Sequence, residues 1–336
     1  MPRPARSFLY AKACGIKAKS FLDERRSLLA ALRTGDELAA LAAATYRLPA
    51  GLPAEEALRR TLEKQMLTIA GGSAAPPVLA ALLRKKEAAD FSSALAAMAA
   101  GERVCPPHIE LGRLAAVRFS AYPNLAHMVK GGPYQSLLHP ADSAPRDYPR
   151  LQRALDGLYW QSLFAALQAT PASQRRAITE IVSQELALQN AACALRLRVY
   201  YGMSASQIHP YLIALCPPGS RRSLDAAARE SLAFAPDHRP EWERWRFSAL
   251  LNPEAAGTHW RLDPRYFQNA ALARVYALAR KNFHRHPFTL DFAACFIYLK
   301  QTELQLIAAA AGGLALGISA RDALAMTAFS GVKDSL

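Results

Sequence analysis

An all-α fold is predicted for this chain of 336 residues by three features of its sequence. Alanine and leucine, two of the strongest helix formers, dominate the composition, and arginine is preferred to lysine. Runs of β-branched residues with period-two alternation are missing. Proline and glycine clusters divide the chain into blocks about as long as one or two helices. With 51% hydrophobic residues, the chain can bury a large core.

The amino-terminal block carries the densest positive charge. Residues 1–26 contain seven basic and two acidic side chains, and the whole chain has a net charge of +14. The plainest interpretation is a solvated basic face, but the charge also suits a nucleic acid, an anionic lipid surface or an acidic protein. The block has no continuous apolar segment of the kind found in secretory signals. Five scattered cysteines argue against a disulfide framework, so we expect a cytoplasmic protein.

The predicted helical blocks end at clusters of proline and glycine. These clusters are Arg47–Pro53, Gly71–Pro77, His139–Pro149, Cys216–Ser220 and Ala235–Pro240. The clearest single helix precedes Gly202, because one stripe of its surface is apolar while its charged residues lie elsewhere. The stripe consists of Ile181, Leu188, Ala192, Leu195 and Val199.

Two glycine turns have the same pattern and predict the same local structure. Gly202 and Gly317 are each followed by an apolar residue, Ser, Ala, any residue and then Gln or Asp. We expect each glycine to end a helix in the left-handed conformation and each serine to cap the next helix. The capping pairs are Ser204 with Gln207 and Ser319 with Asp322.

A third, weaker copy of this turn predicts an internal repeat. Gly101 also ends an alanine-rich run, and it precedes Gly202 by 101 residues, while Gly317 follows Gly202 by 115. Both spacings are close to one third of the chain. We therefore predict a single domain over residues 1–336, built of three helical lobes with approximate bounds 1–105, 106–218 and 219–336.

The last glycine turn closes an uncharged run of 17 residues between Glu303 and Arg321. Gly313 and Gly317 form a GxxxG, a spacing found in packed transmembrane helices. The run is at the lower limit for crossing a bilayer, and its alanine and glycine make it weakly apolar. We interpret the GxxxG as close helix packing outside a membrane.

Motifs for catalysis and metal binding are missing. No P-loop, GxGxxG after a strand, HExxH or GxSxG occurs, so nucleotide hydrolysis at this chain is not expected. Cys105 with His108, and His284 with His286, supply two ligands each where structural zinc needs four. Trp242 and Trp245 have the spacing of a helical core face, although a base-stacking platform is a second interpretation. We predict no catalytic residue, metal or cofactor.

The segment 183–213, SQELALQNAACALRLRVYYGMSASQIHPYLI, resembles the central motif of the C-type subunits of V-type and A-type ATPases, which are called d-type in eukaryotic complexes. An acid and an asparagine precede basic positions, a glycine, a capped helix and a YLI segment. The matching positions are Glu185, Asn190, Arg196, Arg198, Gly202 and Tyr211–Ile213.

Other segments match the same family in the same order. Residues 9–46 resemble its amino-terminal helix, turn and helical hairpin, and residues 111–138 and 151–167 its second lobe. The closing segment, FIYLKQTELQLIAAAAGGLALGISARDAL, has Tyr298, Glu303 and Gly317 in place. Ala187 stands where the family usually has an acid, and Ala308–Ala311 stand where basic residues are common.

The resemblance implies a non-catalytic part of the central stalk. Such proteins are all-helical funnels of three pseudo-threefold lobes, bound peripherally at the cytoplasmic face of the membrane. Their expected partners are the central shaft subunits, of D and F type, and the proteolipid rotor ring, without nucleic acid, cofactor or small-molecule substrate. The socket they form would couple ATP hydrolysis or synthesis to ion transport. The resemblance does not choose between protons and sodium ions, or between synthesis and hydrolysis.

Two other functions are compatible with parts of the sequence. A basic helical adaptor that binds nucleic acid would account for the charge and the tryptophans, although no helix-turn-helix or zinc-finger pattern accompanies them. An all-α enzyme would need clustered acids or a metal motif.

Overall fold

The computed structural model describes residues 3–137, 148–254, 257 and 259–327. Throughout these ranges the regular structure is helical and no strand occurs, so the all-α prediction is confirmed. The α-helices are, in chain order, Arg3–Lys17 (α1), Arg26–Ala30 (α2), Gly35–Thr45 (α3), Ala54–Ala70 (α4), Pro77–Ala99 (α5), Leu125–Val129 (α6), Tyr148–Ala169 (α7), Arg176–Tyr201 (α8), Ala205–Ile208 (α9), Ala226–Ser231 (α10), Arg239–Trp242 (α11), Pro264–Asn282 (α12), Asp291–Ala315 (α13) and Ala320–Ala325 (α14).

Short 3-10 helices occupy several connections between these helices. They are Asp23–Arg25, Gly72–Ala74, Gly112–Leu114, Phe119–Ala121, Pro133–Leu137, Ala172–Gln174, His209–Tyr211 and Ser248–Leu250.

Four of the five predicted helix breaks coincide with turns or connections. Pro77 occupies the first turn of α5, where its missing N–H costs nothing. The break predicted at His139–Pro149 lies largely outside the described residues, and α7 begins at Tyr148. In α8, Ile181, Leu188 and Leu195 are buried, as the apolar stripe predicts.

The chain divides into two compact units, and the division falls inside α4. The first unit comprises Met1–Arg59 and Ser173–Leu336. Here α8 packs against α10 and α12, and α13 packs against α12 and α14. Trp242 and Trp245 lie edge to face in its core, and each indole N–H donates to a backbone carbonyl, at 2.8 and 2.9 Å. Because both rings are buried, they form a core face and no base-stacking platform.

The second unit comprises Arg60–Ala172, and α5 packs against α7 within it. Its core is a cluster that includes Phe91, Leu95, Met128, Tyr134 and Leu155. One polar face of α5 fixes the connection that returns after it. Three side chains, three residues apart, bind backbone groups of that connection: Arg84 the carbonyl of Leu114, Glu87 the N–H groups of Ala116 and Val117, and Asp90 the N–H of Ile109.

The three predicted glycine turns have the same backbone conformation. Gly101, Gly202 and Gly317 have φ values of +80°, +62° and +72°, in the left-handed region that side chains disfavour. After α5 and α13 the turn is a Schellman motif, in which the residue after the glycine donates to the carbonyl five positions earlier, at 2.9 and 2.8 Å. Ser204 forms a capping box with Gln207, and Ser319 accepts the N–H of Asp322. The predicted caps are confirmed.

The uncharged run after Glu303 forms the second half of α13 and the turn into α14. No helix within the described ranges is long and apolar enough to cross a membrane. A Cβ added to Gly313 would lie 2.4 Å from the Cβ of Ala323, so this glycine allows α14 to approach α13. The predicted close packing is thus correct for Gly313, whereas Gly317 serves as the helix-ending residue.

Candidate functional site

Buried polar side chains join α8 to α13 at two points. The carboxylate of Asp291 accepts the backbone N–H of Ile178, at 3.0 Å between N and O. Seven residues, or about two helical turns, further along both helices, the hydroxyl of Tyr298 donates to Glu185, at 2.5 Å between the oxygens. Both pairs are 113 residues apart in sequence, so the two long helices run parallel and in constant register.

Asp291 also satisfies the amino terminus of α8. The first N–H groups of a helix have no partner within it, and they carry a partial positive charge. Asp291 is 1% exposed and accepts one of these groups from the neighbouring helix. Burial raises the pKa of its carboxyl group, against the opposing effect of backbone hydrogen bonds from Ile178 and Ala177.

A buried ion pair within α13 binds the amino-terminal segment through hydrogen bonds. Lys300 Nζ lies 2.7 Å from Glu303 Oε2, and the two side chains are 1% and 0% exposed. The other oxygen of Glu303 accepts the N–H of Phe21, at 2.7 Å, and the hydroxyl of Tyr46. Lys300 also donates to Ser20 Oγ at 2.8 Å. Together Ser20, Phe21, Tyr46, Lys300 and Glu303 form the Glu303 cluster.

The cluster is held together by charge in a site without access to water. Burial lowers the pKa of Lys300, while the negative charge of Glu303 opposes that shift. Burial and the Glu303 charge both raise the pKa of Tyr46, so its hydroxyl remains a proton donor. Such an arrangement fixes the segment after α1 against α13, because separating them would remove the hydrogen bonds that Ser20, Phe21 and Tyr46 make with this buried ion pair.

Asn190 fixes the segment that follows α9. Its side-chain amide donates to the carbonyl of Ile213 and accepts the N–H of the same residue, at 3.0 and 2.9 Å. The asparagine thus satisfies both backbone groups of one residue in an irregular segment. Arg198, two turns further along α8, donates to the carbonyl of Ser231 at 2.9 Å and holds the end of α10.

The motif positions therefore serve several local roles and do not meet in one cavity. Glu185 and Glu303 lie on α8 and α13 and bind different partners. Gly202 and Gly317 end these two helices. Arg196 is exposed near the end of α8 and makes no ion pair with any described residue.

Sequence reasoning missed Lys300 and Asp291. Lys300 is three residues before Glu303 in an apolar helix. Opposite charges at that spacing lie on one face of the helix, so the sequence pattern could have predicted the ion pair. Asp291 gives no local signal, because the helix that it caps begins 115 residues earlier. The capping contact depends on tertiary packing alone.

The two candidate metal sites, Cys105 with His108 and His284 with His286, gain no further ligand from the described residues. Cys105 Sγ lies 3.7 Å from His108 Nδ1, and burial raises the pKa of the Cys105 thiol, assisted by the charge of Asp90. His284 Nδ1 lies 2.8 Å from the hydroxyl of Tyr10. Across the described ranges, no group of three or more His, Cys, Asp or Glu side chains could hold a metal ion.

The fold and these contacts define an all-helical protein in which the buried polar groups join helices to one another. The model of the ATP synthase (C/AC39) subunit family matches residues 29–325. The chain belongs to this family, as the resemblance of its motifs predicted, and is thereby a V/A-type ATPase subunit.

A relative from Treponema pallidum (strain Nichols), described as an uncharacterized protein, is 30% identical over 218 residues. The match covers 63% of this chain and 62% of the relative, which is less than two thirds of that protein's length.

Proposed function

We propose that the chain is the non-catalytic socket of the central stalk, which couples the shaft of the ATPase to its membrane rotor ring. The observation that carries this proposal is the constant register of α8 and α13, reinforced by the Glu303 cluster. A part that transmits torque must resist relative movement of its helices, and buried hydrogen bonds between elements provide such resistance.

The socket has two groups of partners and an internal threefold organisation. The socket binds D-type and F-type shaft subunits on one side and the proteolipid ring on the other, peripherally at the inner face of the membrane. Three lobes, over residues 1–105, 106–218 and 219–336, form a funnel. Left-handed glycines occur at other turns as well, but Gly101, Gly202 and Gly317 end the three longest helices of the described residues, which supports this repeat. Glu185, Asn190 and Glu303 act as positioning residues in this design.

The net charge of +14 supports acidic partners or anionic head groups around the socket. Family membership supports association with a rotary complex that moves protons or sodium ions. The tryptophans that suggested nucleic-acid binding are buried, so no observation favours that alternative.

Deletion of the gene in its own host tests the proposal. We expect membranes from the deletion strain to lose ATP-driven ion transport, while the soluble head retains or gains ATP hydrolysis uncoupled from transport. Expression of the wild-type chain should restore coupling and should co-purify the shaft and ring subunits. Normal transport and normal assembly in the deletion strain would refute the socket role.

A further inference from the structure

One side of α1 packs against the connection between α12 and α13. Arg6 donates to the carbonyl of Phe288 at 3.2 Å, and the hydroxyl of Tyr10 lies 2.8 Å from Nδ1 of His284. The Tyr10 ring also lies edge to face with Phe292, at 5.5 Å between centroids. These contacts fix the orientation of α1 on the first unit, and they define which side of the helix faces away from it.

The outer side of α1 combines an aromatic side chain with lysine. Phe8 and Lys12 each lie two positions from Tyr10, which places them on the opposite side of the helix. Phe8 is 68% exposed, and Lys12 is exposed as well. Lys19 is exposed in the turn directly after α1. We call Phe8, Lys12 and Lys19 the outer face of α1.

The segments that form this part of the unit contain basic residues and no acid. Residues 1–22 and 264–290 each have five Lys or Arg and no Asp or Glu. The two segments meet at the contacts of α1 with the α12–α13 connection, where Arg285 is exposed. Lys12, Lys19 and Arg285 make no ion pair with a described residue, so their positive charges are not neutralised within the unit.

The acids on the adjoining elements do not cancel this charge. Asp23 is paired with two basic side chains, Asp263 caps α12, and Asp291 is 1% exposed and binds α8. Glu24 and Glu180 are exposed, in the 3-10 helix after α1 and near the start of α8. These five acids reduce the positive charge at the edges, but ten basic side chains, five in each segment, outnumber them.

We propose that the outer face of α1 binds anionic lipid head groups directly. This inference goes beyond the socket role, because that role needs only protein partners. Each basic residue near an anionic membrane surface adds to the affinity, and the long side chains of Lys12 and Lys19 reach towards the phosphates. Phe8 enters the boundary between head groups and acyl chains, where an aromatic side chain leaves water at little cost to its neighbours.

The size of the outer face favours lipid over a protein partner. A 15-residue helix is about 22 Å long, so a face about 10 Å wide presents about 220 Å². A stable protein interface buries about 800 Å² on each partner. A fluid bilayer supplies phosphates wherever the basic groups lie, and it needs no complementary shape. Phe8 is also a single aromatic group, whereas nucleic-acid binding by stacking uses rings for successive bases.

Sedimentation of the full-length chain with protein-free vesicles tests the proposal. One set of vesicles contains phosphatidylcholine mixed with phosphatidylglycerol, and the other contains phosphatidylcholine alone. The face variant is Lys12→Glu with Lys19→Glu. The matched control is Lys64→Glu with Lys130→Glu, which changes the net charge equally at two exposed lysines of the second unit. Circular dichroism checks that each variant is folded.

We expect the wild type to bind only the vesicles with phosphatidylglycerol, and added salt should weaken this binding. Each lysine near an anionic surface contributes about fivefold, so the face variant should bind about 25-fold more weakly or worse, while the control binds like the wild type. No binding by the wild type, or an equal loss in the control, would overturn the proposal. Tighter binding to duplex DNA than to the vesicles, at equal phosphate concentration and salt, would assign the face to nucleic acid and overturn it too.

Phe8→Trp tests the insertion of the aromatic side chain without a change of charge. The four tryptophans of the chain, Trp160, Trp242, Trp245 and Trp260, are buried, so lipids brominated on their acyl chains should not quench the wild type. The same lipids should quench the Phe8→Trp variant in phosphatidylglycerol vesicles. A variant that binds without being quenched would overturn the proposal that this face enters the bilayer. The socket role is unaffected by every outcome, because the vesicles contain no ATPase subunit.

Discussion

The Glu303 cluster predicts that Lys300 and Glu303 stabilise the fold as a pair. Glu303→Gln keeps an oxygen for Phe21 and Tyr46 but removes the negative charge that compensates Lys300. Lys300→Met removes the cation and leaves a carboxylate that still accepts two protein hydrogen bonds. The double variant retains the hydrogen-bond acceptor and buries no charge.

The expected magnitudes follow from the burial of both side chains, which are 1% and 0% exposed. Removing one partner of a buried pair costs about 3–5 kcal/mol, so Glu303→Gln should lower the free energy of unfolding by about 3 kcal/mol or more. Lys300→Met should cost about 2 kcal/mol, because hydrogen bonds still stabilise the carboxylate. The double variant should cost no more than about 2 kcal/mol, which gives a coupling energy of about 3 kcal/mol.

Urea unfolding of the four proteins measures these values. Helical circular dichroism reports on the whole chain, and three of the four tryptophans, Trp242, Trp245 and Trp260, report on the unit that contains the cluster. Lys12→Met, a change at an exposed lysine, is the control and should stay within about 0.5 kcal/mol of the wild type. If the two single costs simply add in the double variant, the pair does not act as a unit and the reasoning fails.

Three further predictions concern other parts of the chain. Burial raises the pKa of Glu87 from 4.5 to about 7, so the folded state binds the proton more tightly, and stability should fall as pH rises through this window. The loss should be on the order of 3 kcal/mol, and urea titrations across this pH range should show it abolished in Glu87→Gln. Gly313→Ala should cost about 1–3 kcal/mol through a clash with Ala323, whereas Gly317→Ala should cost about 1 kcal/mol through its positive φ. Thermal unfolding measures both costs, and Gly312→Ala, whose added Cβ meets no atom within 4 Å, is the control that separates the clash from helix propensity. A Gly313→Ala variant as stable as the wild type would refute the close packing of α13 and α14. Asn190→Ala should cost about 2 kcal/mol, since both backbone groups of Ile213 lose their partner; hydrogen exchange at Ile213 as slow as in the wild type would contradict it.

The proposed socket role would give these contacts a mechanical meaning. In that role rotation would load the helices that contact the shaft and the ring, and α8 and α13 are the longest helices described in their unit. The Asp291 contact lies at the amino ends of both helices, while the Glu185–Tyr298 bond and the Glu303 cluster lie further along α13. In the proposed function, these buried contacts keep the helices aligned.

Local sequence features were sufficient for the helix ends. Gly202 and Gly317 lack a Cβ and adopt the left-handed conformation at little cost, and Ser204 and Ser319 cap the helices that follow. These outcomes depend on interactions within about six residues, so the pattern of residue types is enough to predict them. The apolar stripe of α8 was readable for the same reason, since helical periodicity places its members on one face.

The motif positions were identified by resemblance, but their roles required the structure. Nothing near Glu185 in sequence indicates that its partner is Tyr298. Two of the partners of Glu303, Phe21 and Tyr46, lie more than 250 residues away from it. The GxxxG was readable as a packing motif, yet the structure divides its two glycines between helix contact and helix end.

By itself, the sequence determined the helical class, the glycines that end the long helices, the serines that cap the helices after them, and membership of an ATPase subunit family. The tertiary structure alone decided the parallel register of α8 and α13, the cap that Asp291 places on α8, and the burial of Lys300 beside Glu303. The physical reason is one of range. Helix formation and capping depend on neighbours along the chain, whereas the desolvation that makes a buried charge pair strong depends on every element packed around it.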